Sequence, residues 1–478
     1  MKNIRILKKR TEKRKRTEIF KSVLIFILIS LLCLQTVLIL KSSTLTNMLF
    51  NRNSETEIIL NDDDVINLYF EYTAPEYIMV NKGSSRDVFF SDSEHYQRAQ
   101  IILQEINRYL FMPDITPQLV EPKIFNKLTE ADSLYISYPY RCYPKYLAQF
   151  LNNTEEKLSA LISYYTKVVL VPQTSAGSEK ITVFIQDEKT KNAVKVSTPV
   201  SSTDLVKFLS EAKGKDKKNY SFARENAALS GATPGVLKNT KINEDVLVPQ
   251  KNLSFPDIMI FSPLEFSQDM GISPAAEDVM RVFGFAPSDA RRYLDNHGVL
   301  VCVDEKATLK LYPNGVIEYN SVNKQSGLNL TGSSRLTVNN SYFLSFTGIS
   351  RIINALIPLA GNTENSFKVR LTDLQSESVE VSEYKFLFDY YINGIRIKSA
   401  PYHGIEATAI EGRLTSMRID LKRFENSYTE KPVESLGNSL NKFYNERKDA
   451  SSVSVTSAYL AYPITEKSNT ITADWLIQ

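Results

Sequence analysis

The chain has 478 residues, which is enough for roughly two to four domains of ~100–200 residues. Its 43% hydrophobic and 10% aromatic content allows it to form sizeable folded cores. The formal net charge of +3 hides an uneven distribution, because residues 1–21 carry ten Lys/Arg against two Glu. The rest of the chain is slightly acidic, and this argues against a body that binds nucleic acid.

An apolar segment follows the basic tail. Ser22–Leu40 is uncharged over 19 residues and would span about 28 Å as a helix, close to the ~30 Å hydrocarbon core of a bilayer. The basic excess before it favours a cytoplasmic N-terminus. A cleaved signal peptide is the alternative, but the run is longer than usual and Lys41-Ser42 makes a poor cleavage site. We therefore predict a single-pass anchor over residues 22–41, with the body extracellular.

Four small or polar side chains interrupt this apolar segment. We predict that they contact a neighbouring membrane helix, since polar groups in lipid can hydrogen-bond across helices. Bonding to their own helix backbone, or a position near the outer interface, explains them equally well. The candidates for helix–helix contact are Ser30, Cys33, Gln35 and Thr36.

Beyond the anchor, alternating strand-like and helical periodicity predicts an α+β body in three parts. The predicted divisions are a tether at 42–64, domain 1 at 65–128, domain 2 at 129–256 and domain 3 at 257–478. Domain 1 is predicted to open with strands at Val65–Tyr72 and Glu76–Val80. The polar stretch Gly214–Gln250 matches no regular pattern.

Domain 3 carries the strongest local signals. Pro313-Asn314-Gly315, Asn393-Gly394 and Glu411-Gly412 are typical hairpin turns between β-rich runs, and Asn340–Ile357 has helical periodicity. These features predict a mostly antiparallel β meander with short helices. Cys142 and Cys302 could form the one disulfide outside the membrane, but the apolar run Val299–Val303 favours a buried free thiol at Cys302.

Motifs that carry chemistry are missing from the sequence. The three histidines (His95, His297 and His403) have no neighbouring metal-ligand partner, and no nucleophile elbow, zinc-protease or phosphate-loop motif is present. Two Ser-x-x-Lys matches, at 210–213 and 382–385, lack the supporting Lys-Thr-Gly motif. A glycosidase-type carboxylate pair stays open in principle. We predict no catalytic, cofactor-binding or metal-binding residues.

Aromatic residues crowd two segments, 135–146 and 386–391. Alternate aromatics along a strand usually pack in a core, so we favour a core role. A surface that contacts a protein or a glycan is the alternative.

Residues 301–319 include a hairpin with Pro313-Asn314-Gly315 followed by Ile317-Glu318-Tyr319, and the C-terminal region contains Ala458–Tyr462 and Trp475. Together with the short cytoplasmic tail, the single anchor and the outer body, these features resemble the YycH family of Gram-positive bacteria. The residue-level match is confined to about 257–478. The long basic tail and the stretch at 214–250 depart from the family pattern.

The resemblance implies a non-catalytic regulator of a two-component system that controls cell-wall homeostasis. It implies contacts with a YycG/WalK-like sensor histidine kinase and a YycI-like single-pass partner, within the lipid bilayer and outside it. Two other hypotheses are an anchored protein that binds or modifies the cell wall, and a scaffold for membrane assemblies.

Overall fold

A computed structural model describes residues 62–478, except for positions 84, 113, 151–156, 174–178, 213–217, 226–228, 230, 264–272, 333, 362–366, 377–381, 400, 448–452 and 465–468. The predicted basic tail and membrane segment, and most of the tether, lie outside the described residues. The described residues form one compact unit.

The described residues contain nine α-helices. In chain order they are α1 Asp62–Tyr72, α2 Glu94–Leu110, α3 Ile124–Leu128, α4 Pro144–Phe150, α5 Thr203–Glu211, α6 Pro234–Asn239, α7 Pro274–Val282, α8 Ser341–Leu356 and α9 Leu436–Asn445.

The strands outnumber the helices, which confirms an α+β fold that is mostly β-sheet. Those before residue 262 are β1 Tyr77–Lys82, β2 Ser85–Phe89, β3 Gln118–Val120, β4 Ser133–Cys142, β5 Tyr165–Pro172, β6 Lys180–Gln186, β7 Ala193–Ser201, β8 Lys218–Phe222, β9 Thr240–Ile242, β10 Leu247–Pro249 and β11 Ser254–Phe261. The remainder are β12 Arg291–Leu294, β13 Leu300–Val303, β14 Ala307–Leu311, β15 Val316–Ser321, β16 Leu328–Asn329, β17 Lys368–Ser376, β18 Glu383–Ile392, β19 Ile395–Lys398, β20 Ile405–Ile410, β21 Arg413–Asp420, β22 Arg423–Pro432, β23 Val453–Val455, β24 Ala458–Pro463, β25 Thr470–Ile471 and β26 Asp474–Ile477.

Helix α1 corrects the predicted strand at Val65–Tyr72. Val65, Tyr69 and Tyr72 are buried and lie four and three residues apart, which is the spacing of one helix face. Asp64 in the first turn also suits the positive end of the helix dipole. The predicted strand is wrong because these buried residues follow the spacing of a helix and not the alternation of a strand.

The first large sheet has nine strands in the order β10-β8-β2-β1-β4-β5-β6-β7-β3. Strands on both sides of the predicted domain limit at 128/129 belong to it. The stretch 214–250, which had no assignment, supplies β8 and β10 at one edge, where Asn219 pairs with Asp87 of β2. This pairing joins residues more than one hundred positions apart, so no local pattern could reveal it.

The second large sheet has twelve strands, whose main path is β12-β13-β14-β15-β21-β20-β18-β19-β24-β26. Every described pair in it is antiparallel except β19 with β24. The predicted turns are present: φ is 51° at Asn393 and 73° at Gly394, and 48° at Glu411 and 69° at Gly412. Positive φ at both central residues is the requirement of the tight hairpin turn that matches strand twist.

Helix α8 packs on β18 and β21 of this sheet and against α1, α4 and α7. Together with the 3₁₀ turn that follows it to Ala360, it is the one described helix long and apolar enough to cross a membrane by length and composition. More than half of it is buried inside the body. Its apolar character is therefore accounted for by the core.

Aromatic side chains of α8 contact both α4 and strand β18 of the second large sheet. The ring of Tyr342 stacks on Tyr146 at 4.3 Å and lies 5.7 Å from Phe386, while Phe346 contacts Phe150. Tyr143 and Tyr146 are half-buried, and the other seven of the nine aromatic residues in the two predicted segments are buried. The preference for core over surface contact is confirmed for them.

Candidate functional site

A buried charge cluster lies within the twelve-stranded sheet. We call Thr372, Asp389, Arg396 and His403 the Asp389 cluster. Asp389 is fully buried, and its Oδ2 accepts from Arg396 Nε at 2.6 Å and lies 3.0 Å from His403 Nδ1. Its Oδ1 accepts the Gly404 N–H at 2.8 Å. Both carboxylate oxygens are thus satisfied, as a buried charge requires.

The electrostatics of Asp389 follow from these contacts. Burial alone would raise the pKa of this carboxyl, but the hydrogen bond from His403 and the charge of Arg396 outweigh burial and hold the pKa well below its usual range. Asp389 is therefore ionised at neutral pH.

The Asp389 cluster superficially resembles a hydroxyl–imidazole–carboxylate triad, but its geometry differs. In such a triad the carboxylate and the nucleophile contact opposite nitrogens of the imidazole. Here Thr372 Oγ1, at 3.2 Å, and Asp389 Oδ2 both approach the same atom, Nδ1 of His403. A proton cannot be relayed through the ring in that arrangement. The cluster therefore locks β17, β18 and residues 403–404 together.

The other histidines lie elsewhere. His95 stacks on Phe89 with ring centroids 4.9 Å apart, and His297 is exposed in a turn closed by Asp295. Within the described ranges, no three His, Cys, Asp or Glu side chains converge on a possible metal position. Cys142 and Cys302 are both buried free thiols.

A cavity of about 250 Å³ lies between the two large sheets. We call it the inter-sheet cavity. One wall is formed by side chains of the neighbouring strands β1, β4 and β5. Tyr77 of β1 is paired with Ser137 of β4, and Ser137 is paired with Lys167 of β5. The facing wall comes from β19, β24 and β26 and includes Arg396, Tyr459 and Trp475. Both sheets therefore contribute side chains to the same space.

Three of the charged residues that line the inter-sheet cavity have close partners. Lys167 Nζ lies 2.5 Å from Asp245, which also pairs with Arg224 at 2.5 Å. Burial raises the pKa of Asp245, but the charges of Lys167 and Arg224 lower it by more. Arg396 is held by Asp389, as described above. These residues are neutralised within the protein.

Glu76 is the exception. It lies just before β1 and lines the cavity, yet among the described residues its carboxylate makes no hydrogen bond and no ion pair. Burial raises the pKa of Glu76, and the charges of Arg396 and Arg370 offset this only in part. Arg370 donates to the carbonyl of Pro75, the residue before Glu76, at 2.5 Å, and it packs over the Tyr391 ring. Within the described part of the chain, Glu76 is thus a half-buried acid without a contacting counter-charge.

Aromatic rings form much of the remaining lining, including Tyr77, Phe90, Tyr220, Tyr459 and Trp475. Trp475 is the single tryptophan of the chain, and its Nε1 donates to the Glu434 carbonyl at 2.9 Å. A concave, largely apolar space with a few convergent polar groups is the usual form of a small-molecule site. The inter-sheet cavity has that form.

The predicted contact residues Ser30, Cys33, Gln35 and Thr36 lie outside the described residues. Sequence reasoning missed Glu76, Arg396 and the partners of His403. No local motif marks these residues, because strands far apart in the chain bring them together. The one available signal was an acid directly after Pro75 at the start of an apolar strand, which is common at strand ends.

The two packed sheets and their helices define an α+β body with a YycH-like fold. The comparison that supports this is the crystal structure of YycH from Bacillus subtilis, which matches with a TM-score of 0.53 at 10% sequence identity. The match covers 85% of this chain and 94% of that chain. No protein-family model and no curated protein matches the sequence.

Proposed function

We propose that this chain is a membrane-anchored, non-catalytic regulator of a sensor histidine kinase in a two-component system that controls the cell wall. The observation that carries the proposal is the YycH-like fold over 85% of the chain. The likeness extends well beyond the C-terminal residues that carry the sequence resemblance. It supports placing the whole body, and not one hairpin, in this class of protein.

The proposed location is the cell membrane, with residues 1–21 cytoplasmic, residues 22–41 spanning the bilayer and the body outside. The proposed partners are a YycG/WalK-like kinase and a YycI-like single-pass protein. A helix that packs against the kinase helices better in one signalling state shifts the kinase towards that state by its difference in affinity. Ser30, Cys33, Gln35 and Thr36 are the proposed contact residues.

The geometry of the Asp389 cluster supports a non-catalytic role. Its hydroxyl and carboxylate share one imidazole nitrogen, and its carboxylate is fully engaged by structural partners. The cluster that most resembles catalytic machinery in the described part of the chain thus acts as a clamp.

Cysteine crosslinking in living cells tests the proposed contact. Ser30→Cys in a Cys33→Ala background is compared with Ile27→Cys and Leu38→Cys, which the 100° rotation per residue places about 60° or more from each of the four proposed contact residues. Cys142 and Cys302 are buried, so their background reactivity is low. We expect Ser30→Cys to crosslink to a kinase membrane helix, and Ile27→Cys and Leu38→Cys to do so more weakly. Absence of kinase crosslinks at every position from 24 to 38 contradicts the proposal.

A further inference from the structure

The inter-sheet cavity has no role in the proposed membrane contacts, yet it has the size and lining of a ligand site. Its volume of about 250 Å³ equals that of roughly eight liquid waters at ~30 Å³ each. A compound of about the size of one aromatic ring with a short side chain fits such a space. A long acyl chain or a polymer would extend beyond it.

The charges around the cavity restrict the chemistry of that ligand. Lys167 and Arg396 each contact a carboxylate of the protein, so neither needs an anion from outside. Glu76 is the one charged residue on the described lining that lacks a contacting partner. A ligand group that donates hydrogen bonds and carries positive charge would supply the missing partner of Glu76, since charge-assisted hydrogen bonds are about twice as strong as neutral ones.

The rings beside Glu76 favour the same kind of group. Tyr77 follows Glu76 in the chain and Trp475 lies on the facing wall, whereas the face of Tyr459 is already covered by the Arg396 guanidinium at 5.9 Å. The faces of aromatic rings attract ammonium groups, and rings combined with a carboxylate recognise organic cations. Both features converge from opposite sheets on one space.

We propose that the inter-sheet cavity binds a small organic cation, an amine with an apolar or aromatic body, whose ammonium group pairs with Glu76. Its apolar body lies among the rings of the lining. The ligand touches both sheets at once, so its binding stabilises one relative placement of their facing strands. An effect of this placement on a kinase rests on the proposed function, whereas ligand binding itself does not.

Trp475 supplies the readout, because the only tryptophan of the chain lines the cavity. The full chain in a neutral maltoside detergent is titrated with 2-phenylethylamine, with its neutral isostere 2-phenylethanol and with phenylacetate, while tryptophan fluorescence is recorded. We expect the amine to bind about tenfold more tightly than the alcohol, and phenylacetate to bind most weakly.

Two variants make the test specific to Glu76. Glu76→Gln is expected to remove the preference for the amine while binding of the alcohol is retained. Glu305→Gln is the matched control, since Glu305 is exposed in the turn between β13 and β14; it is expected to bind like the unaltered chain. Thermal unfolding checks that both variants are folded.

Other results overturn the proposal. Equal affinity for the amine and the alcohol would show a neutral pocket, and tightest binding of phenylacetate would show an anion site. An amine preference that survives Glu76→Gln, or no fluorescence response to the amine, also contradicts it. None of these outcomes depends on a kinase, so the result is independent of the crosslinking test.

Discussion

Asp389 and Glu76 are both acids within electrostatic reach of Arg396, but only Asp389 contacts it. Every oxygen of Asp389 has a partner, and the pKa of its carboxyl is lowered despite burial. Glu76 has no contacting partner in the described structure, and burial raises its pKa. The difference separates two uses of acidic side chains: the buried Asp389 holds the fold together, whereas the half-buried Glu76 lines the inter-sheet cavity without an ion pair among the described residues.

The largest effect is expected from Asp389→Ala. Removing this carboxylate leaves Arg396 and the Gly404 N–H without their partner, and breaking a buried pair costs about 3–5 kcal/mol. Denaturant unfolding of the full chain measures the loss. Glu425→Ala, which breaks a surface pair with Arg423 at 3.2 Å, is the control and should cost less than about 1 kcal/mol. Equal losses for the two variants would contradict a structural role for the Asp389 cluster.

The next effect concerns the rim of the inter-sheet cavity, where Gly394 approaches Phe90. A Cβ at Gly394 would lie 2.3 Å from Phe90 Cβ, and φ at this position is +73°. Gly394→Ala should therefore combine a left-handed backbone cost of about 1–2 kcal/mol with an overpacking cost of about 1–3 kcal/mol.

The matched control is Gly332→Ala. Its φ is +59°, but no atom lies within 4 Å of the added Cβ, so only the backbone cost applies. The difference between the two unfolding free energies isolates the contact between the sheets. Identical unfolding free energies for the two variants would mean that the contact between Gly394 and Phe90 adds no overpacking cost.

Acid should weaken the Asp389 cluster selectively. The pKa of Asp389 is lower in the fold than in the unfolded chain, so its contribution is complete above the unfolded value of about 4 and is lost as pH falls towards the folded value. The unfolding free energy of the unaltered chain should fall faster below pH 4 than that of Asp389→Asn. Parallel pH curves for the two proteins would exclude Asp389 as the source.

The smallest effect on stability is expected from Glu76→Gln. Because burial raises the pKa of Glu76, ionising it in the fold is unfavourable, and stability due to this group decreases as pH rises through that range. The amide removes this cost, so the unfolding free energy at pH 7 should stay within about 0.5 kcal/mol or rise. A loss comparable to that of Asp389→Ala would show that Glu76 has a structural partner after all.

Local patterns predicted two hairpins of the twelve-stranded sheet and helix α8, which packs on that sheet. Asn393-Gly394 and Glu411-Gly412 are found as turns, and α8 runs from Ser341 to Leu356 against a prediction of 340–357. These features depend on turn chemistry and on periodicity, both of which the sequence displays directly.

Non-local pairing could not be predicted in the same way. Strand β8 joins β2, and Glu76 faces residues near 396 and 459 across the cavity. Such neighbours are set by how two sheets pack, and no short motif encodes that packing. The cavity therefore could not be predicted from the sequence, whereas a search for familiar catalytic motifs needs the sequence alone.

Control of a kinase is the central claim, and it is measured as the phosphorylated fraction of the kinase's response regulator in cells. Cells lacking this chain are compared with cells that carry the full chain, or a chain in which residues 22–41 are replaced by an unrelated membrane helix. We predict that the phosphorylated fraction shifts on loss of the chain, returns with the full chain and does not return with the replaced helix at equal protein level. A phosphorylated fraction that is the same with and without the chain would contradict the claim.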